Sequence, residues 1–369
     1  MFSTVTGGEE AIAASHRLLK QQRRGDPEVA ELSTDAIREQ LGLAVDRVMA
    51  EGSLYAPGLA ALAVKQAQGD LVEAAYLLRA YRATLPRIGE SQPLDTTTMA
   101  VRRQISTTYK NIPGGQILGA TYDYTHRLLD FSLSDDSDVE PPVQAQGVQS
   151  RPAASNHPQP NHHLVEASGH VPDDMPADIT RTPLAFPASR DSRLQTLARG
   201  DEGFLAGLAY STMRGYGRAH PFLSALKVGD IALELHIPEV GDTVAIGEIA
   251  LTECEILNKR VGGANDDDAP RFVRGYGLAF GRNERKAMAM AVLDFTLRAR
   301  ELGDEPTYPA QDEEFVLSHA DNIDASGMVQ HLKLPHYVDF QAEVQSLEEL
   351  RRLSTLTPHN ENLDNGGDE

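Results

Sequence analysis

Apolar positions recur every three to four residues through the first third of the chain and tend toward every second residue in much of its second half. The first period is that of a helix with one buried face, and the second that of a half-buried strand. Residues 8–24 set Ala11, Ile12, Leu18 and Leu19 on one side, with acids at the start and bases at the end, as a helix dipole favours. From Ser33 the period runs through Ile37, Leu41, Val45 and Val48 to a stop at Gly52. A third helix is predicted from Pro57, and a fourth over 69–85 with Asp70 as its cap. Their Leu/Ala stripes read as the core of a small helical bundle.

The period is lost over 110–133, KNIPGGQILGATYDYTHRLLDFSL. IPGGQ is a turn, and behind it come Tyr122, Asp123, Tyr124, His126 and Arg127. Asp123 and His126 are candidate acid/base groups; the plainer alternative is a glycine turn into a helix whose polar residues satisfy one another. Residues 134–177 hold little aliphatic and almost no aromatic content, and read as a flexible insert that cannot offset its chain entropy by burial. Beyond it, DEGFLAGLAYSTMR reads as a helix, and three strand-like runs follow, DIALELHIP, TVAIGEIALTECEIL and RFVRGYGLAFG. GRNERKAMAMAVLDFTLRARELG then predicts a long helix with Asn283 as its cap. The class is α+β: a helical domain over 1–133, the insert, a mixed α/β domain with an antiparallel-rich sheet over 178–345, and an acidic tail over 346–369.

The 369 residues carry a formal net charge of −20, which argues against a broad nucleic-acid surface but leaves room for a local anion site. A single cysteine, Cys254, excludes a disulfide framework and an all-cysteine cluster. No secretory leader and no run of about 20 apolar residues is evident, so a cytoplasmic protein with no membrane segment is expected.

Three features carry chemistry. RGYG occurs twice, at Arg214–Gly217 and Arg274–Gly277. Its glycines (Gly215, Gly217, Gly275, Gly277) can bring backbone N–H groups close to a phosphate, and Arg214, Arg218 and Arg274 can fork onto it. Arg285 and Lys286 stand at a predicted helix start, where an anion is also favoured. The alternative is a pair of glycine-kinked strands with surface arginines. TECE places Glu253 and Glu255 on one strand face, where burial would make an acid/base pair of them. The run QDEEF, with Glu313, leads on to His331 and His336 in HLKLPH, and Pro335 between the histidines opposes a continuous helix, so both rings can turn to one point. Two imidazoles make half of a tetrahedral metal site.

Several long segments, in order, carry a resemblance: LLRAYRATL, YKNIPGGQILGATYDYTHRLLDF, SRLQTLARGDEG, AYSTMRGYGRAHPF, TECE, FVRGYGLAFG, QDEEFVLSHADN and HLKLPHYVDFQAE. Through them the chain resembles the PhnI family, the I subunits of the bacterial carbon–phosphorus lyase core complex. The resemblance implies a cytoplasmic transferase subunit of phosphonate catabolism. With the G, H and L subunits it displaces adenine from ATP (or the base from GTP) by an alkylphosphonate oxygen, giving a ribose 1-alkylphosphonate 5-triphosphate; alone it acts as a nucleosidase. It further implies contact with the J subunit and, through the core complex, with K, two copies of this chain per complex, and zinc on His331 and His336 near the J interface. Displacement at an anomeric carbon needs a carboxylate, an acid for the leaving base and cations for the triphosphate. Glu253, Asp123 or Glu313 are candidates for the first, His126 for the second, and Arg214, Arg218, Arg274, Arg285 and Lys286 for the third. A non-catalytic scaffold that shapes one wall of the J active site is the competing expectation.

Overall fold

The structure, a computed structural model, describes residues 8–134, 151–152, 162–166, 176–217, 220–239, 241–262 and 269–356. The chain divides into two compact units, Met1–Ile323 and Asp324–Glu369.

The first unit opens with α1 (Glu9–Arg24), α2 (Thr34–Gln40), α3 (Gly42–Gly52), α4 (Pro57–Gln66) and α5 (Leu71–Arg82). Helices α2 to α5 form the expected bundle around Ile37, Val45, Val48, Met49, Ala60, Ala61, Val64, Ala74 and Leu78. Ser33 caps α2 by accepting from the Ala36 N–H at 3.0 Å, and Asp70 caps α5 through the N–H groups of Val72 and Glu73. Two local expectations fail. The helix foreseen from Ser33 to Gly52 breaks at Leu41, and Gly42 restarts it hard against Arg282, where a Cβ would lie 2.4 Å from the guanidinium. The apolar stripe of α1 is not core: Ile12, Leu18 and Leu19 are exposed and no residue of that helix is buried.

The sheet has β1 (Ala100–Ile105), β2 (Arg151–Pro152), β3 (Phe222–Ile237), β4 (Asp242–Arg260) and β5 (Arg271–Phe280) in the order β2-β1-β3-β4-β5, every pair antiparallel. The alternating runs of the sequence are β3, β4 and β5. Strand β1 escapes the pattern because a bulge between Val101 and Arg103 spoils its alternation. Helices α6 (Arg190–Arg199) and α7 (Glu202–Tyr210) lie between β2 and β3, with a π-turn over Ser211–Gly215 after α7, and α8 (Glu284–Leu297) and α9 (Glu313–His319) come after β5. One sheet face packs on α8 through Leu226, Cys254, Ile256, Met290 and Leu293; the other carries Met99, Val101, Ile231, Ile249 and Leu251. Asn283 does not cap α8: its side-chain amide donates to the carbonyls of Asp46 and Phe280 and ties the helix start to α3. The stretch after Gly119 forms no α-helix; it runs as turns into a single 3-10 turn over Phe131–Ser134, with Leu128, Leu129 and Leu133 more than 80% exposed.

The second unit comprises most of α10 (Asn322–Gln330), a 3-10 turn over His331–Lys333, and α11 (Tyr337–Leu356), which continues helically into the span expected to be an acidic tail. No residue of α10 is buried, and Met328, Leu332, Tyr337, Val338 and Phe340 are exposed. Among the described residues no helix is long and apolar enough to cross a membrane.

Candidate functional site

Strict alternation along β4 sends Glu253 and Glu255 to the face opposite α8. Register then decides their company: Lys227 on β3 stands across from Glu253, and Tyr276 on β5 across from Glu255. Glu253 is 7% exposed and accepts from three donors: Thr96 Oγ1 at 2.7 Å, Lys227 Nζ at 3.0 Å and Tyr276 OH at 3.0 Å. Burial, with Glu253 at its hydroxyl, pushes the Tyr276 phenol well above its ordinary range, so it stays a donor at neutral pH. Glu255 accepts from Ser224 Oγ at 2.9 Å and pairs with Arg274, which also donates from Nε to the Glu166 carbonyl at 3.0 Å. Despite its burial, Glu166 is held below the usual carboxylate range by Arg298 and the Arg274 N–H. The result is a strip of alternating charge along one sheet face. Its apolar end is a cavity of about 280 Å³ lined by Leu94, Leu251, Leu278 and Phe280, with Ala50, Ser53, Ile179 and Thr180 among the residues opposite.

The other candidates do not converge on Glu253. Asp123 pairs with Arg103 and, at 3.3 Å, with Arg127; Arg103 also holds Glu284 of α8 at 2.8 Å, so this cluster belongs to the α8 face. His126 is exposed on the same run of turns. Glu313 accepts from the Ala188 N–H at 2.8 Å in the approach to α6, and the acidic run around it is a helix start, with Asp312 capping α9 through the Phe315 N–H.

The phosphate candidates divide by commitment. Arg274 is bound to Glu255, and Arg285 donates to Glu202 at 2.7 Å. Lys286 is fully buried with no hydrogen-bond partner for Nζ; burial lowers it to about 8, against the upward pull of Glu51 and Glu202. A free phosphate cannot reach an ammonium enclosed in this way. Gly275 and Gly277 press against α8, where added Cβ atoms would sit 2.1 Å from the carbonyl oxygens of Ala291 and Ala287. They serve helix–strand contact rather than an open anion turn. Gly217 is similarly crowded by the Thr212 carbonyl and Tyr308, while a Cβ on Gly215 would make only an ordinary contact, 3.8 Å from Ser211 Cβ. Arg214 is exposed on the π-turn, with no acidic partner among the described residues, and Arg218 lies outside them. Cys254 is buried and its thiol is raised by burial and the flanking carboxylates, which leaves it inert.

His331 and His336 do converge. Their ring centroids lie 4.8 Å apart and their Nε2 atoms 3.1 Å apart. His336 Nδ1 donates to the Leu334 carbonyl at 2.6 Å, which leaves its Nε2 lone pair free to face His331. Two nitrogens bound tetrahedrally to one zinc stand about 3.3 Å apart, given Zn–N bonds of about 2.0–2.1 Å. The pair suits a shared metal and equally an imidazole–imidazole hydrogen bond. Among the described residues no group of three or more His, Cys, Asp or Glu side chains could hold a metal ion.

The sequence alone missed Thr96, Lys227 and Tyr276 as the donors that fix Glu253. Tyr276 sat inside a motif read for its glycines, and the other two become visible only once the register is known.

A family model described as bacterial phosphonate metabolism protein (PhnI) matches residues 1–354. The alpha-D-ribose 1-methylphosphonate 5-triphosphate synthase subunit PhnI of Rhizobium meliloti (strain 1021) is 53% identical over 353 residues, covering 95% of each chain. The protein of the same description from Escherichia coli (strain K12) is 52% identical over 364 residues, 95% of this chain and 99% of that one. The putative C-P lyase subunit protein HtxH of Stutzerimonas stutzeri is 40% identical over 369 residues, 98% of both.

Proposed function

Because the chain belongs to the PhnI family, we propose that it is a transferase subunit of an alpha-D-ribose 1-methylphosphonate 5-triphosphate synthase, acting in phosphonate degradation as one component of a C–P lyase assembly of several proteins. The product named for its relatives keeps a 5-triphosphate and gains a phosphonate at ribose C1. The simplest balanced route starts from a nucleoside 5′-triphosphate such as ATP or GTP. The C1–N bond to the base breaks, with its electron pair going to the base nitrogen. A C1–O bond forms from a phosphonate oxygen, and a proton goes to the departing base. Charge at C1 in such a displacement resembles that of glycoside transfer, where a fixed carboxylate stabilises the cationic sugar.

The observation that carries the assignment is Glu253: a buried carboxylate, held in one orientation by Thr96, Lys227 and Tyr276, beside an apolar cavity. Asp123, His126 and Glu313 are weaker candidates, since the first and third are tied to structural partners and His126 stands apart from the cavity. The test is adenine release from ATP by the chain with its partner subunits. Glu253→Gln keeps the size and can still accept hydrogen bonds, and is expected to cut release by at least about 100-fold while the fold holds. Release at the wild-type rate in a folded Glu253→Gln would assign the chemistry elsewhere.

His331 and His336 would hold zinc, with the remaining ligands drawn from a partner such as the J subunit; the metal would supply a rigid anchor between subunits. The expected partners are the G, H, L and J subunits, and K through the complex, around two copies of this chain. A scaffold role without chemistry is favoured by one feature, the exposed apolar run Leu128, Leu129, Phe131 and Leu133. Adenine release by the isolated chain would remove it.

A further inference from the structure

With Arg274 and Arg285 committed to carboxylates, a chain of net charge −20 still needs a place where an anionic ligand is welcome. The apolar cavity has one. Arg199 of α6 lines it and reaches Asp321 at 3.3 Å; the same carboxylate takes Arg79 of α5 at 2.5 Å. Arg82 stands three residues beyond Arg79, on the same face of α5. It has no acidic partner within ion-pair distance among the described residues. Burial and then the like charge of Arg199 lower its proton affinity, and the more distant Asp178 offsets them only in part. Across the rim, Arg87 binds Asp178 at 2.5 Å, and Asp178 fixes Thr180, another lining residue, through its hydroxyl at 2.7 Å.

Inside, the walls are Ala50, Leu94, Ile179, Ala198, Leu251, Leu278 and their neighbours. Thr180, Gln195 and Arg199 also line it, each with a polar partner, and one lining polar atom has none. Ser53 Oγ is buried without a partner, on a residue held in the left-handed conformation (φ 55°) at the end of α3. An unpaired buried hydroxyl is destabilising, and a ligand's hydrogen-bonding edge would recover that cost. The volume, about 280 Å³, is at the small end of ligand pockets, about 300–1,000 Å³, and so fits a flat heterocycle rather than a whole nucleotide. Two wall residues, Leu251 and Leu278, neighbour Glu253 in the ladder, and Leu94 lies two residues before Thr96, which donates to it.

We propose that this cavity and its arginine rim form the nucleoside-triphosphate site, with the purine in the apolar slot against Ser53 and the phosphates on Arg82 and Arg199. The assignment rests on the displacement reaction above and gives it a place for the leaving base beside Glu253.

Calorimetric titration of the full chain, alone and with its partner subunits, tests it with ATP, adenine and tripolyphosphate as probes. Arg82→Gln is expected to weaken ATP and tripolyphosphate at least 10-fold and leave adenine unchanged. Ala198→Leu, which fills the slot, is expected to weaken ATP and adenine at least 10-fold and leave tripolyphosphate unchanged. Thermal melting checks that each variant is folded; if Ala198→Leu is not, Ser53→Ala serves in its place, with a several-fold loss of ATP and adenine affinity and none of tripolyphosphate affinity. Wild-type ATP affinity in the folded variants overturns the site. Turnover separates this from the function itself. Adenine release with an unchanged KM for ATP in the folded variants overturns the site and leaves the reaction standing. The expected binding pattern with no adenine release by the complex overturns the reaction and leaves the site.

Discussion

Replacing Gly277 by alanine separates two accounts of the second RGYG. In one, the glycine exposes its amide to a phosphate; in the other, it lets α8 lie on β5. The structure supports the second. A Cβ on Gly277 would stand 2.1 Å from the Ala287 carbonyl oxygen and 2.9 Å from Met290 Cβ. Ordinary contact is about 3.5 Å, so α8 must retreat by on the order of 1 Å. The obstacle is helix backbone, which has no rotamer to escape into. Inserting a methyl into such a contact costs about 1–3 kcal/mol, and the rigid partner puts this site near the upper end. At about 2–4 °C per kcal/mol for a domain of this order of size, the melting temperature should fall by about 5–10 °C. The shift would also loosen Asp294 of α8, which accepts from the Tyr276 N–H at 2.9 Å and pairs with Arg190 at 2.6 Å. Differential scanning calorimetry of Gly277→Ala reads the first effect, and ATP titration well below the melting point reads whether phosphate binding is touched. An unchanged melting temperature with ATP binding lost would refute the packing account and restore the anion turn.

Lys286→Met should alter the alkaline limb of stability. The folded-state value of about 8 lies below the ordinary 10.5, so the cost of a buried charge is present below pH 8 and is relieved as pH rises toward 10.5. Urea denaturation across that window should show wild-type stability rising more steeply than that of the variant, and parallel curves would contradict the assignment. Asp178 acts at the other end. Its carboxyl is held at about 2 by the Thr180 hydroxyl and by Arg87, so its contribution is present above 3.8 and is lost as pH falls toward 2. Asp178→Asn should flatten the acid limb in that range, and an acid limb as steep as the wild type's would argue against it. Zinc content of the purified complex should drop in both His331→Ala and His336→Ala, and full retention in the two variants would leave only the imidazole hydrogen bond.

What was legible in the sequence followed from periodicity and local chemistry. Strands β3 to β5 alternate cleanly, Asp70 and Ser33 announce helix starts, and Pro335 forces the turn that brings His331 and His336 together. Register and partnership were not legible. Nothing local says that Lys227 lies opposite Glu253, that Arg285 will be taken by Glu202, or that Ser53 will face a cavity built from six separate segments. The glycines of RGYG show the limit most plainly: close approach was foreseeable, but what approaches them is the Ala287–Ala291 stretch of α8 rather than a ligand.

The same limit explains why counting cations misplaces an anion site in an acidic protein. With 54 acids to 34 bases, an arginine drawn at random already has a carboxylate within reach, and a guanidinium neutralised in this way offers a phosphate little. The informative cation is one left over inside the fold, since an exposed one such as Arg214 is already solvated. On α5, Arg79 is satisfied by Asp321 and the Glu51 carbonyl, while Arg82 on the same face has burial, like-charged neighbours, only a distant acid in Asp178 and no ion pair among the described residues. Retaining such a charge costs stability unless something anionic relieves it. A triphosphate does so most fully if its base can also be taken out of water, and Arg199 supplies the link, since it belongs to both the cationic rim and the apolar wall. Sequence motifs point to where phosphate chemistry is possible; the balance of charge after folding points to where it is still available.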